Sequence, residues 1–281
     1  MLSRMNPRLR VGCLQWQHRD FSHAEDFWTE LSWQVRIARE DYAAQLLVLP
    51  EYVAAGLPGH WPNEIEWKEK LSALAKLHGL WIVGGSLPHP CAEGLRNRCW
   101  IVGPEGQQLA QDKLHITPWE ANTWQMVGGS EWVVIDIGLC KIGVAICYDV
   151  EFPEQIRALA EAGVEVLCVP YCTDDEHGHH RVQRCALARA VENTIYVVTA
   201  GGVGSIRQRE GFAHHHAASV IATPCDIGFP AAGLLAQALP GQAQCLVADL
   251  DLELLREKRT KGTVLPLRDL RRDLFPTQKK L

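Results

Sequence analysis

Strand-like and helix-like stretches alternate along this sequence, and the alternation predicts a layered α/β fold. Three observations carry that expectation. Residues 9–17, LRVGCLQWQ, place apolar side chains at every second position, the period of a strand with one buried face. Residues 46–49, LLVL, are apolar throughout, as a strand covered on both sides would be. Between them, residues 27–47 carry Phe27, Leu31, Trp33, Val35, Ile37, Ala38 and Tyr42 among charges, the spacing of an amphipathic helix.

The remaining elements follow the same logic. A loop rich in glycine and proline spans 54–62, a second amphipathic helix 65–78, and a strand 80–86. Gly103-Pro-Glu-Gly106 reads as the turn of a hairpin with arms at 98–102 and 108–112. A second hairpin joins 132–137 to 141–146 around Gly138. Then come a helix at 154–161, a strand at 164–169, a helix at 180–192, strands at 194–200, 219–222 and 244–249, and a closing helix at 252–259. No internal repeat or low-complexity tract interrupts the order.

Size and charge bound the function. With 281 residues, 47% of them hydrophobic, and no Ser/Gly-rich linker, residues 1–281 are expected to form one domain. Residues 263–281, charged and proline-containing, look like a C-terminal arm that packs on a neighbour or trails in solvent. The 28 Lys and Arg against 33 Asp and Glu leave a net charge of -5 without any basic block, so nucleic acid is not an expected partner. The opening MLSRMNPRLRVG lacks the apolar core of a signal peptide, and no apolar run approaches the ~20 residues of a membrane helix. A cytoplasmic protein with no membrane partner is the expectation. The ten cysteines sit mostly in apolar strands without a paired framework, and are read as reduced.

Chemistry concentrates where buried strands emerge. In 141–154, KIGVAICYDVEFPE, Ile142, Val144 and Ile146 alternate up to Cys147, and Pro153 opens a helix. Cys147 therefore sits on a sharp strand-to-helix turn, where a thiol projects beside free amide groups. A buried structural cysteine is the alternative. Glu51 ends the apolar run at 46–49, and Lys113 follows a hairpin strand. Separately, each could be a solvated surface charge.

Taken in order, Pro50-Glu51, Lys113 with Pro118-Trp119-Glu120, and Cys147-Tyr148-Asp149 with Phe152-Pro153-Glu154 resemble the three signatures of the nitrilase, or carbon-nitrogen hydrolase, superfamily. The resemblance runs from the first strand to about residue 251 and points to an amidase-like branch related to modules sometimes fused to an acetyltransferase domain. It implies an α-β-β-α sandwich that dimerises into an αββα–αββα assembly, so a homodimer or higher homo-oligomer is expected.

It also implies a hydrolase of non-peptide carbon-nitrogen bonds, cleaving a small linear amide to an acid and ammonia through a cysteine thioester. A free thiol, with a pKa of ~8.5, needs help to ionise. Glu51 would take the Cys147 proton and pass it to the leaving ammonia. Lys113 and the backbone N–H of Tyr148 would stabilise the oxyanion, at ~3 kcal/mol per donor. Glu120 would orient the lysine or the substrate. Tyr52, Cys172, Thr173 and Asp174 are the expected substrate-binding residues. Cys-Tyr-Asp favours an amide over the nitrile of enzymes with Cys-Trp-Glu, while nitrile or N-carbamoyl hydrolysis on the same residues is the alternative.

Two groups stay open on the residues alone. The acidic run Asp174-Asp175-Glu176 could meet a cationic substrate, or be solvated and cap the next helix. His177, His179 and His180, with His214 to His216, lack zinc-finger spacing, and His214 to His216 suggest a pocket-mouth or loop position. No metal or cofactor is expected. Arg189 and Glu192 read as a structural ion pair.

Overall fold

The structure, a computed structural model, describes residues 7–275. Its elements run β1 (Arg8–His18), α1 (Ala24–Glu40), β2 (Leu46–Val48), α2 (Glu64–His78), β3 (Trp81–Cys91), β4 (Gly94–Val102) and β5 (Gln108–Asp112). They continue with α3 (Pro118–Trp124), β6 (Ile135–Asp136), β7 (Lys141–Val144), a single 3-10 turn (Cys147–Glu151), α4 (Pro153–Glu161) and β8 (Val166–Tyr171). The last are α5 (Glu176–Asn193), β9 (Tyr196–Gly204), β10 (Val220–Ala222), β11 (Leu234–Gln237), β12 (Gln244–Asp251) and α6 (Leu252–Lys261).

Two sheets result. One runs β5-β4-β3-β2-β1-β12 and the other β6-β7-β8-β9-β10-β11, joined where Trp16–His18 of β1 pairs with Gly202–Gly204 of β9. The β1-β2-β3 and β7-β8-β9 neighbours are parallel, each crossing back through one helix, the connection a parallel pair requires.

Strand periodicity sorts the core into layers. Leu46 and Val48 of β2, Val83 of β3 and Cys99 and Ile101 of β4 join the cluster that also holds Val144, Val166 and Cys168 of the second sheet. Their chain neighbours Leu47, Leu49, Ile82 and Val102 turn the other way, onto Phe27, Leu31 and Val35 of α1 and Trp67 and Leu71 of α2. On the far side, α4 and α5 supply Ile156, Leu159, Val182 and Ala186. This is the expected α-β-β-α sandwich. Thiols of both sheets, Cys13, Cys99 and Cys168, lie near one another in the middle layer, and all ten cysteines are free.

Several boundaries differ from expectation. The first helix ends at Glu40, and Trp33 and Tyr42 are exposed, because Phe27, Leu31, Val35 and Ala38 already complete its buried stripe. The strand expected at 80–86 extends to Cys91 and turns directly into β4 through a tight turn flanked by Pro90 and Gly94. The hairpin expected at 132–146 is short, with two residues in β6 and four in β7. Helix α3 and strand β11 were not anticipated, the former too short for periodicity to register. Helix α5 starts at Glu176 because the Asp175 carboxylate accepts the Gly178 N–H at 2.7 Å as its N-cap.

Residues 263–275 run back over their own chain: Leu265 is buried, and Arg272 pairs with Glu161 at 3.0 Å. The rest of the expected arm, 276–281, lies outside the described residues. Among the described residues no helix is long and apolar enough to cross a membrane.

Candidate active site

Each strand end delivers one polar group to a shared cavity of about 240 Å³. Glu51 follows β2 and is held in an extended bridge to Ser86, with the Tyr52 N–H donating to the Ser86 carbonyl at 2.8 Å. Lys113 follows β5; its N–H donates to the Asn97 carbonyl at 2.8 Å, and its side chain is 1% exposed. Glu120 sits in the first turn of α3, where Thr117 and Glu120 form a capping box behind Pro118. Cys147 opens the 3-10 turn at φ 50°, a left-handed conformation that costs a non-glycine residue of order 1–3 kcal/mol.

These four side chains meet. Lys113 Nζ donates to Glu51 Oε1 at 2.8 Å and to Glu120 Oε1 and Oε2 at 2.8 and 2.9 Å. The Cys147 thiol donates to the Cys172 carbonyl oxygen at 3.7 Å and lies near enough to Glu51 and Lys113 for both charges to act on it. A buried ammonium is tolerable only beside counter-charge, and two carboxylates supply it. Glu51 and Lys113 are therefore neither of them the solvated surface charges that each would be in isolation.

Electrostatics divides the two carboxylates. Burial pushes Glu51 up to about 7, against the attraction of Lys113, and the charge on Glu120 adds to the rise. Burial acts on Glu120 as well, but Lys113, the Tyr52 hydroxyl and the Thr117 amide outweigh it and hold this carboxyl down at about 2. Burial and Glu51 keep the Cys147 thiol well above its ordinary range. At neutral pH the neutral thiol thus faces a carboxyl poised to take its proton, beside a carboxylate that stays charged.

Asn97, on β4, was missed by sequence reasoning. Its Nδ2 lies 2.8 Å from Glu51 Oε1, 2.8 Å from the Tyr52 hydroxyl and 3.1 Å from Glu120 Oε1. The Tyr52 hydroxyl in turn donates to Glu120 at 2.5 Å. No motif marked Asn97; it lies between Arg96 and Arg98, just before the strand arm expected at 98–102, where local polarity reads as solvated.

Asp149 has a larger part than packing or capping. It accepts the N–H groups of Leu114 at 3.1 Å, His115 at 2.8 Å and Ile146 at 3.1 Å, stapling the lysine loop to the cysteine turn. Arg189 braces the same turn through the carbonyls of Val150 and Glu151, at 2.9 and 3.0 Å, and keeps its pair with Glu192 at 3.0 Å. Tyr148 lies in the first turn of the 3-10 helix, where backbone N–H groups have no acceptor within the helix.

Tyr52, Cys172, Thr173 and Asp174 all line the cavity, with Trp119, Tyr148, Arg181 and Phe212. Of the acidic run, Asp174 and Asp175 both line the cavity, Asp175 also capping α5, and Glu176 is exposed in the first turn of that helix. Two of the three acidic residues therefore stand on the cavity wall, and Glu176 is not among its lining residues. His214 to His216 lie on an irregular segment, and the described cavity wall includes none of them. Sequence spacing offered no metal-ligand set, yet folding brings ligand atoms of His18, Cys172 and His215 within 4.8 Å of one another.

Comparisons with known proteins bear on the family and the fold. The chain is 33% identical over 97% of its length to the probable hydrolase YhcX of Bacillus subtilis, of which it spans 55%. It is 31% identical over 82% of its length to omega-amidase NIT2 of Xenopus tropicalis, with 80% of that protein covered. Saccharomyces cerevisiae Nit3, a member of branch 10 of the nitrilase superfamily, superposes with a TM-score of 0.77 at 22% identity, over 94% of this chain and 97% of that one. An amidase of Nesterenkonia AN1 from the nitrilase superfamily superposes with a TM-score of 0.74 at 24% identity, over 95% of both chains. The family profile described as carbon-nitrogen hydrolase matches residues 10–260. With that match spanning nearly all of the two sheets and every cavity residue named above, the chain belongs to the carbon-nitrogen hydrolase family.

Proposed function

We propose that this protein is a thiol amidohydrolase that cleaves the carbon-nitrogen bond of a small linear amide. The observation that carries the reading is the buried contact set of Cys147, Glu51, Lys113 and Glu120 at one cavity end. Omega-amidases and a bacterial amidase among the similar proteins support an amide as substrate class.

In this reading Cys147 Sγ attacks the carbonyl carbon as Glu51 takes the thiol proton. The oxyanion forms against Lys113 Nζ and the Tyr148 N–H. The carbon-nitrogen bond then breaks, Glu51 returns the proton to nitrogen, and ammonia leaves. Water, deprotonated by Glu51, attacks the thioester; the carbon-sulfur bond breaks, and the thiol regains its proton as the acid departs. Glu120, charged throughout, holds Lys113 in place. Tyr52, Cys172, Thr173 and Asp174 shape the cavity around the acyl group, whose volume of about 240 Å³ fits a short chain.

We also take residues 1–281 as a single cytoplasmic catalytic domain that pairs into a homodimer. Val264, Leu274 and Phe275, exposed at 66%, 59% and 76%, give the C-terminal arm an apolar surface suited to a second copy.

An ammonia-release screen over amides of graded length tests the activity. The Cys147→Ala variant is expected to unfold at or above the wild-type temperature while losing at least about 1,000-fold in kcat/KM. Equal ammonia release by wild type and variant would overturn the reading. Release of carbon dioxide alongside ammonia would instead favour a carbamoyl substrate.

A further inference from the structure

We infer that His18, Cys172 and His215 form a binding site for a zinc-class divalent cation, set behind the wall of the active-site cavity. One ligand atom from each lies within 4.8 Å of the other two, and Cys172 Sγ is 3.4 Å from His215 Nδ1. A tetrahedral zinc centre, with bonds of about 2.0 Å to nitrogen and about 2.3 Å to sulfur, spaces its ligand atoms roughly 3.3–3.6 Å apart. The sulfur-nitrogen pair already has that spacing, and the third ligand needs to move by about an ångström.

A second observation points to an occupant. His18 is 1% exposed, and neither of its ring nitrogens has a hydrogen-bond partner among the described residues; His215, 2% exposed, turns its Nδ1 to Cys172 Sγ. A buried imidazole nitrogen left unpaired is destabilising, and a bound cation would satisfy it. An uncharged imidazole offers one nitrogen lone pair to a metal.

The cluster is held by the fold. His18 ends β1, and its ring packs on Gly202 of β9 so closely that a Cβ there would fall 2.1 Å from Nε2. The His215 N–H donates to the Gly204 carbonyl at 2.7 Å, and Cys172 follows β8 directly. Asp174 Oδ1 stands at the edge of the cluster, 3.8 Å from His215 Nδ1. Two imidazoles and a thiolate suit zinc and exclude the oxygen-seeking magnesium and calcium. On binding, the Cys172 S–H bond breaks, its proton passes to solvent, and a metal-sulfur bond forms without change of oxidation state.

The full-length chain, stripped with a chelator and dialysed, would be titrated with Zn²⁺ by calorimetry and with Co²⁺ by absorption. One equivalent per chain is expected, with a thiolate-to-cobalt charge-transfer band in the near ultraviolet. Cys147→Ala should keep both signals, whereas Cys172→Ala and His18→Gln should each weaken binding by more than about 100-fold. Circular dichroism establishes that these variants are folded, and His215→Gln replaces either one that is not. Absence of stoichiometric binding, as when a water molecule satisfies His18, would overturn the inference. So would a band that survives Cys172→Ala, or one lost with Cys147→Ala, which would place the metal on the nucleophile. Because no readout is turnover, a negative result here leaves the amidase reading standing.

Discussion

Glu51 shows how one side chain can set stability and activity against each other. Its folded value of about 7 lies above the ordinary 4.5, so the folded chain keeps a proton that the unfolded chain gives up. The stability associated with that proton is present in full below about 4.5 and is lost as pH rises through about 7. Glu120, held at about 2, has the opposite sign: its contribution is present above 4.5 and is lost as pH falls through about 2. General-base action needs Glu51 ionised, so kcat/KM should rise across pH about 7 while the melting temperature declines from about 4.5 upward. Glu51→Gln, which mimics the protonated acid, should flatten that thermal decline. Asn97 donates to the ionised form, so Asn97→Leu should move the rising limb of kcat/KM to higher pH. A pH-rate profile identical to wild type would remove Asn97 from the site.

At the level of elements, placing Glu51 depends on a bulge in its neighbour. The β3-β4 register shifts between Val83 and Ser86, and Gly85 sits there at φ 67°. A Cβ on Gly85 would fall 2.2 Å from the Pro50 carbonyl, one residue before the glutamate. Gly85→Ala therefore combines a left-handed alanine with a backbone clash. It should cost at least about 2 kcal/mol in denaturant unfolding. A displacement of Glu51 by about an ångström should also cost on the order of 100-fold in kcat/KM. Wild-type activity in a destabilised variant would separate the bulge from the chemistry. The cysteine turn is over-determined in a comparable way, since Asp149 and Arg189 hold it from opposite sides while Cys147 keeps its strained φ.

For the whole molecule, two sheets joined at one end of β1 turn their strand ends toward one cavity. The sandwich buries Leu46, Val48 and Val166 between sheets, so the cavity groups rest on a rigid frame and not on loops alone. The apolar side chains at 264, 274 and 275 remain outside that frame. Sedimentation should find twice the chain mass, and Phe275→Asp with Leu274→Asp should weaken the association at least tenfold. A wild-type chain that sediments as a monomer would end the pairing proposal.

Periodicity was enough for the layers, because a strand's alternation and a helix's three-to-four spacing are local properties of covalent geometry. Leu46 to Leu49 and Phe27 to Val35 were legible for that reason. The ordered motifs ending in Glu51, Lys113 and Cys147 were legible because each stands where an apolar run stops. Asn97, Gly85 and the meeting of His18 with His215 were not, since each matters through a residue distant in the chain. Local pattern names which groups leave a buried strand, but which of them touch, and so which titrate near neutrality, follows from how the two sheets close over one another.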